Sequence, residues 1–135
     1  MKIPACDLEI EVEPSSIVMT ESTGRVRIAN PKMPADEEGF LVEWVPAGTD
    51  IEALMRRRVP IGQPERAAGM VAGMPARGFG WTDGVRDFWS WFVEDAKGRT
   101  IELTAFRAGL PPMSRKQSIE DVARDFARRI ALVAT

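Results

Sequence analysis

The stretch from Met74 to Phe106 alternates strand-forming runs with two turn sequences. Asp83-Gly84 is a dipeptide typical of two-residue hairpin loops, whose central residues take positive φ. A second turn sequence spans residues 94–99 and contains Gly98. The stretch therefore predicts three antiparallel strands. Its middle strand is apolar on both faces, which predicts a place inside the sheet with cover above and below.

Loop lengths predict the register of these strands. A two-residue first loop places Trp89 opposite Gly78 and Trp91 opposite Ala76, so that each indole lies over nearly bare backbone. A second loop of even length brings the phenylalanines and the apolar residues of the third strand to the opposite face. The predicted members of that face are Phe79, Phe88, Phe92, Ile101 and Leu103.

Shorter patterns predict the elements that precede this central stretch. Alternation of apolar and polar residues indicates further strands. They are residues 8–13, 25–29 and 40–45, with a short extended piece at 17–19. Thr49 or Asp50 can cap a short helix that runs to about Arg58. Residues 60–74 are rich in Gly, Pro, Ala and Met, and they are predicted to cross irregularly, with one helical turn at 63–66.

The C-terminal residues predict a long helix. Ser118 with Asp121 three residues later forms a capping-box pattern, in which Asp replaces the usual Glu or Gln. A stripe of apolar residues at helical spacing follows. Its members are Ile119, Val122, Phe126, Ile130 and Val133. We expect this stripe to cover the phenylalanine face of the sheet.

Together these elements predict an α+β fold. It consists of an antiparallel sheet of about six strands, with the long C-terminal helix on one face and the short helix on the other. The 135 residues suffice for one hydrophobic core, and no repeat or long linker divides the chain. We therefore predict a single domain, residues 1–135.

Composition excludes several classes of function. The chain has no histidine and one cysteine, Cys6, which removes His-based catalytic triads, imidazole metal sites and an intrachain disulfide. A net charge of −2 disfavours general nucleic-acid binding. No apolar run is long enough to span a bilayer, so we expect no stable membrane insertion and a cytoplasmic location. No cofactor or metal is predicted.

Two features remain as candidate partner-binding surfaces. Trp89, Trp91 and Phe106 are predicted to share the face that only the short helix can cover, which would leave an aromatic patch partly open. Burial beneath that helix is the competing interpretation. Met70 and Met74 lie in or beside the irregular crossing, and methionines adapt to varied apolar partners.

Two other classes of function stay open at this point. A small apolar ligand could bind in a pocket between the sheet and residues 60–74. A hydrolase could use Asp83 and Asp87 as paired carboxylates. We rank the hydrolase last, because a turn explains Asp83 and a solvent-exposed strand end explains Asp87.

The second half of the chain resembles the PsbP-like α/β/α sandwich. The residues that carry the resemblance are Gly73-Met74-Pro75-Ala76 entering a strand, Gly98-Arg99 before Ile101-Glu102-Leu103-Thr104, and Phe126 and Ile130 of the terminal helix. This superfamily includes the photosystem II extrinsic subunit, a Ran-binding nuclear transport factor, bacterial DcrB-type proteins and type VI secretion effector chaperones.

The resemblance implies binding without catalysis and a bacterial origin. Our leading hypothesis from the sequence is a non-catalytic protein-binding module. It would act as a secretion-associated chaperone or an immunity-type accessory protein, with a protein partner such as a secreted effector. Self-association through the aromatic face is the rival use of the same residues.

Overall fold

A computed structural model gives the fold and describes residues 1–29, 38–60, 62–108 and 118–132. These residues form ten strands and two short helices. The strands are β1 (Lys2–Ala5), β2 (Leu8–Glu11), β3 (Ile17–Thr20), β4 (Val26–Ala29), β5 (Glu38–Val45), β6 (Glu65–Val71), β7 (Met74–Thr82), β8 (Arg86–Glu94), β9 (Thr100–Ala108) and β10 (Ile130–Leu132). The helices are α1 (Ile51–Arg58) and α2 (Ile119–Ala127).

The strands form two antiparallel sheets. The large sheet has seven strands in the order β3-β4-β5-β9-β8-β7-β6, and the small sheet has the order β1-β2-β10. One face of the large sheet, which we call the tryptophan face, packs against α2 and the small sheet in one core that contains Ile10, Trp89, Leu103 and Phe126. The opposite face, the α1 face, packs Phe79 and Phe92 against Ile51 and Met55 of α1.

The predicted α+β sandwich with a long C-terminal helix is wrong. The described residues are mostly strand, and α2 ends at Ala127. Ile130 then pairs with Ile10 as part of β10, and the Glu11 N–H donates to the Arg129 carbonyl oxygen at 2.9 Å. The open edge of β2 offers backbone partners that a continuing helix would leave unused. The last residue of the predicted stripe, Val133, lies outside the described residues.

Local capping signals are confirmed at both helices. The Asp121 N–H donates to the Ser118 hydroxyl at 3.1 Å, and the Ala53 N–H donates to the Asp50 carboxylate at 3.2 Å. α1 ends at Arg58, as predicted. Neither described helix is long and apolar enough to cross a bilayer.

The predicted irregular crossing at 60–74 is largely a strand. β6 forms a hairpin with β7 through Ala72 and Gly73, whose φ angles are +50° and +80°. Glycine and alanine have low strand propensity. At position 69 glycine is required by packing, because a Cβ there would lie 2.8 Å from the Trp91 ring. The predicted helical turn at 63–66 is not formed.

The first hairpin of the central meander is shifted by two residues. Trp89 lies opposite Gly80 and Trp91 opposite Gly78. The Asp83 carboxylate accepts hydrogen bonds from the N–H groups of Val85 and Arg86, each at 2.8 Å, which lengthens the loop beyond two residues. An even shift leaves every side chain on its face, so the indoles still lie over small residues, and both of these are now glycines.

The second hairpin is shifted by one residue, which exchanges the faces of β9. Phe92 lies opposite Glu102, and Trp91 lies opposite Leu103. Asp95 sets the odd loop, because its N–H donates to the Arg99 carbonyl oxygen at 2.8 Å and its carboxylate accepts from the Arg99 N–H at 2.9 Å. The predicted assignment of helices to faces is consequently reversed: α2 covers the tryptophans and α1 covers the phenylalanines.

Candidate functional site

The predicted open aromatic patch is absent among the described residues. Trp89 is 0% exposed and Trp91 is 2% exposed, and their rings meet edge to face at 5.5 Å between centroids. Phe106 is 6% exposed and lies opposite Phe88, on the other face of the sheet from the tryptophans. These three residues do not share a face, and none of them is available to a partner at the surface.

Close packing explains the burial of the indoles. A Cβ added to Gly78 would lie 2.6 Å from atoms of both Trp89 and Trp91. On the helix side, the guanidinium of Arg124 lies 5.1 Å from the centre of a Trp91 ring. Trp89 and Trp91 are thus core residues that hold α2 to the sheet.

The two candidate methionines have different surroundings. Met70 lies on β6 and is 61% exposed, second to Val85 among the large apolar side chains that the structure describes. Met74 is half-buried at the start of β7, where it packs against the core. The structure therefore leaves Met70 as the one predicted partner-binding residue that solvent reaches freely.

β6 is the last strand of the large sheet. It pairs with β7 on one side, and no strand in the described part of the chain pairs with its other side. A terminal strand of this kind presents unpaired N–H and C=O groups that can bind another extended chain. At seven residues β6 is longer than the opposite terminal strand, β3, which has four.

The hairpin loop fixes which backbone groups of β6 face outward. A two-residue loop makes the flanking residues Val71 and Met74 a hydrogen-bonded pair. Bonded and non-bonded pairs alternate along an antiparallel ladder. The residues that direct their N–H and C=O groups away from β7 are Arg66, Ala68 and Met70. In agreement, Arg124 of α2 reaches the Ala68 carbonyl oxygen with a long hydrogen bond of 3.4 Å.

The middle of this edge lacks the usual protection of terminal strands. Such strands are commonly blunted by charged residues, proline or a bulge. Residues 67–71 of β6 contain no charge and no proline. The nearby Arg66 guanidinium is directed over the α1 face, where it binds Glu52 at 2.8 Å and lies 5.7 Å from the centre of the Phe79 ring. Arg124 is the one charged side chain with a described bond to the middle of the edge.

A buried polar network lies on the α1 face, and the sequence analysis missed it. Glu102 is 2% exposed, and its carboxylate accepts hydrogen bonds from both terminal nitrogens of Arg58, one of them at 2.9 Å. The Ser90 hydroxyl donates to the same carboxylate at 2.7 Å and lies 2.8 Å from the Thr104 hydroxyl. The sequence did contain a signal, namely the polar residues Ser90, Glu102 and Thr104 inside otherwise apolar strands. Only the correct register of β8 and β9 shows that these three side chains meet.

This network has the properties of a structural element. Both carboxylate oxygens of Glu102 already accept hydrogen bonds, and the side chain is sealed from solvent. Glu43 of β5 lies directly opposite Glu102. Burial, and secondarily the negative charge of Glu102, raise the pKa of the Glu43 carboxyl above its usual range. No group of this network is both free and accessible to act on a substrate.

The carboxylates considered for hydrolysis have local contacts of their own. Hydrogen bonds from the N–H groups of Arg86 and Val85 lower the pKa of Asp83. Asp87 lies 3.5 Å from the Arg107 Nε atom. Burial raises the pKa of Cys6 to about 11, with the charge of Asp7 adding to the effect. No cluster of carboxylates and cysteine in the described part of the chain could hold a metal ion.

The predicted ligand pocket between the sheet and residues 60–74 is not formed, because residues 65–71 are a strand of that sheet. A cleft of about 230 Å³ lies elsewhere, between β2, β5 and α2. The stacked rings of Phe40 and Phe126, 4.0 Å apart, form part of its lining, and Glu13 and Glu38 are among its polar residues.

Comparisons with known proteins add no relative. No protein-family model matches the chain, and no curated protein matches it. The exposed edge of β6 is therefore the candidate functional site that geometry alone supports best.

Proposed function

We propose that this chain is a non-catalytic protein-binding module that takes up an extended segment of a partner protein as an additional strand beside β6. The observation that carries the proposal is the outward direction of three backbone units, those of Arg66, Ala68 and Met70. The last two of them lie in the uncharged stretch 67–71. Strand addition gives affinity through main-chain hydrogen bonds and selectivity through alternate side chains.

The edge is preorganised for such a partner. β6 is held along its whole length by β7, and Gly69 lies directly beneath the Trp91 ring. A rigid template costs little ordering entropy when the partner binds. Met70, whose thioether side chain adapts to differently shaped apolar groups, stands beside the position of the added strand.

The absence of a catalytic role is part of the same proposal. It is supported by the engagement of Glu102 with Arg58 and by the local hydrogen bonds of Asp83. A secretion-associated chaperone or immunity-type role in the bacterial cytoplasm stays a prediction that rests on the resemblance alone. A partner that presents an extended segment is compatible with either role.

Selection from a displayed library of random heptapeptides tests the proposal. Peptides enriched on the wild-type protein should bind an Ala68→Pro variant at least tenfold more weakly, because proline removes an outward N–H without removing a bond to β7. Ala68→Ser keeps the N–H and a small side chain and is the matched control, and it should retain the wild-type affinity. Far-UV circular dichroism of both variants checks that the sheet is intact.

Two results would overturn the proposal. One is a selected pool that binds Ala68→Pro as tightly as the wild type, and the other is a selection that yields no binding peptide. Light scattering adds a separate outcome: a dimer that Ala68→Pro dissociates would identify a second copy of this chain, and not a foreign partner, as the added strand.

A further inference from the structure

We infer that the segment added beside β6 is acidic, with a carboxylate side chain on the α1 face that binds Arg77. This inference rests on the proposed function and names the chemistry of the partner. It starts from the register of β6 and β7, in which Ala68 lies directly opposite Arg77. Both side chains point to the α1 face, as do those of Arg66 and Met70.

The position of Ala68 lets Arg77 reach across β6. Adjacent strands lie about 4.8 Å apart, so the residue of an added strand that faces Ala68 would be roughly 10 Å from the Arg77 backbone. Only the methyl group of Ala68 lies between them. A long arginine side chain and an incoming glutamate or aspartate can close this distance over so small a residue. A large side chain at position 68 would obstruct the contact.

Arg77 is available for such a contact. Arg77 is exposed, and no hydrogen bond or ion pair joins its side chain to another described residue. The one carboxylate of α1 near this region, Glu52, is bound by Arg66 at 2.8 Å. An arginine that forms no ion pair and lies on the strand next to the edge strand is complementary to a carboxylate on the strand that completes the edge.

The surroundings of Arg77 are positively charged. The charges of Arg66, Arg77 and Arg56 all act on the Glu52 carboxyl and lower its pKa, with the hydrogen bond from Arg66 as the largest cause. Only Arg66 forms an ion pair with Glu52, so the charge of Arg77 is not neutralised by a direct contact. Glu65, at the start of β6, lies on the opposite face, where its Cβ is 3.6 Å from the Cβ position of Gly80. The α1 face beside the edge therefore attracts an acidic segment and repels a basic one.

The same charges argue against a second copy of this chain as the occupant. In any antiparallel pairing of β6 with itself, the outward residues Arg66, Ala68 and Met70 would face one another on a single face. Such pairing would add the arginines of the copy to those already present and supply no carboxylate from β6 on that face. A foreign acidic segment satisfies Arg77, whereas self-association crowds like charges.

The test compares peptide pools selected on the wild type and on an Arg77→Glu variant. The wild-type pool should be enriched in Asp and Glu at alternate positions. The Arg77→Glu pool should be enriched in Lys and Arg at those positions instead. Arg128→Glu is the control, because it makes the same charge change on an exposed arginine of the C-cap of α2. Its pool should match that of the wild type.

A second measurement isolates the pair. In the tightest peptide, replacing the enriched Glu by Gln should weaken binding to the wild type about threefold at low salt, and this difference should disappear in Arg77→Gln. Two results would overturn this inference and leave strand addition standing, both for peptides that bind Ala68→Pro more weakly than the wild type. One is a pool without enrichment in Asp and Glu, and the other is a pool with the same acidic enrichment on Arg77→Glu. Peptides that do not distinguish Ala68→Pro from the wild type would overturn strand addition itself.

Discussion

Arg58, the last residue of α1, binds the buried carboxylate of Glu102 on the central strand β9. The side chain of Arg58 is 29% exposed, whereas that of Glu102 is 2% exposed. The pair ties the C-terminal end of a two-turn helix to the middle of the large sheet. A helix this short depends on packing for its stability, so the pair helps to determine where α1 lies.

Removing the arginine should therefore destabilise the fold. Arg58→Met leaves a buried carboxylate without its cation, and we expect a loss of about 3 kcal/mol in the free energy of unfolding, measured by urea denaturation. Arg57→Met is the matched control, since Arg57 is an exposed neighbour, and it should change stability by less than about 0.5 kcal/mol. Equal effects of the two substitutions would show that the Arg58–Glu102 pair does not stabilise the fold.

Gly78 should tolerate no side chain. Alanine usually stabilises a strand relative to glycine, but a Cβ at this position would lie 2.6 Å from both indoles. Gly78→Ala should lower the free energy of unfolding by about 1–3 kcal/mol and change the near-UV circular dichroism of the tryptophans. In Gly84→Ala, which has a strained φ of +89° but no neighbour within 4 Å, the near-UV spectrum should stay that of the wild type. A wild-type spectrum for Gly78→Ala would contradict the packing described for Trp89 and Trp91.

Glu43 should make stability depend on pH. Its pKa is raised in the folded chain by burial and by Glu102, so its contribution is most favourable below the pKa of the unfolded state and is lost as pH rises through the folded pKa. Glu43→Gln should therefore increase stability relative to the wild type at pH 7, with a smaller difference at pH 4. Urea denaturation at the two pH values measures this. A difference that is larger at pH 4 would contradict the raised pKa.

Cys6 should react slowly in the folded protein. With a pKa of about 11, its thiolate fraction at pH 8 is about a hundredfold lower than that of an unperturbed cysteine. Alkylation by iodoacetamide, followed by mass spectrometry, should be slower in the folded protein than in urea by about that factor. Similar rates in the two states would show that burial does not perturb the thiol.

Local chemistry made part of the fold predictable. Ser118 and Asp50 cap helices because their side chains reach backbone N–H groups three residues away, and this requires no knowledge of the rest of the chain. The alternation in β2, β4 and β5 likewise marks half-buried strands. The three central strands followed from turn residues and aromatic content.

Register and pairing could not be predicted, because they depend on side chains that bind across loops. Asp83 and Asp95 each accept backbone N–H groups and so change the length of a loop. The odd loop at Asp95 places Glu102 on the α1 face, where it binds Arg58. The predicted even loop placed Glu102 on the opposite face, so this pair could not be found from the sequence. β6 was missed because glycine and alanine have low strand propensity, and Gly69 is explained only by a Trp91 ring that packs from another strand. The candidate site was predicted at the indoles, which are buried, whereas Met70 is exposed and its role in binding stays a prediction.

Amide hydrogen exchange along β6 tests the central claim most directly. In the free protein, NMR should show fast exchange for the N–H groups of Arg66, Ala68 and Met70 and slow exchange for those of Ala67 and Gly69. When a selected peptide is bound, the three fast groups should slow at least tenfold. Slow exchange of all five N–H groups in the free monomer would contradict strand addition at this edge. Fast exchange of the Arg66, Ala68 and Met70 N–H groups in the peptide complex would contradict it as well.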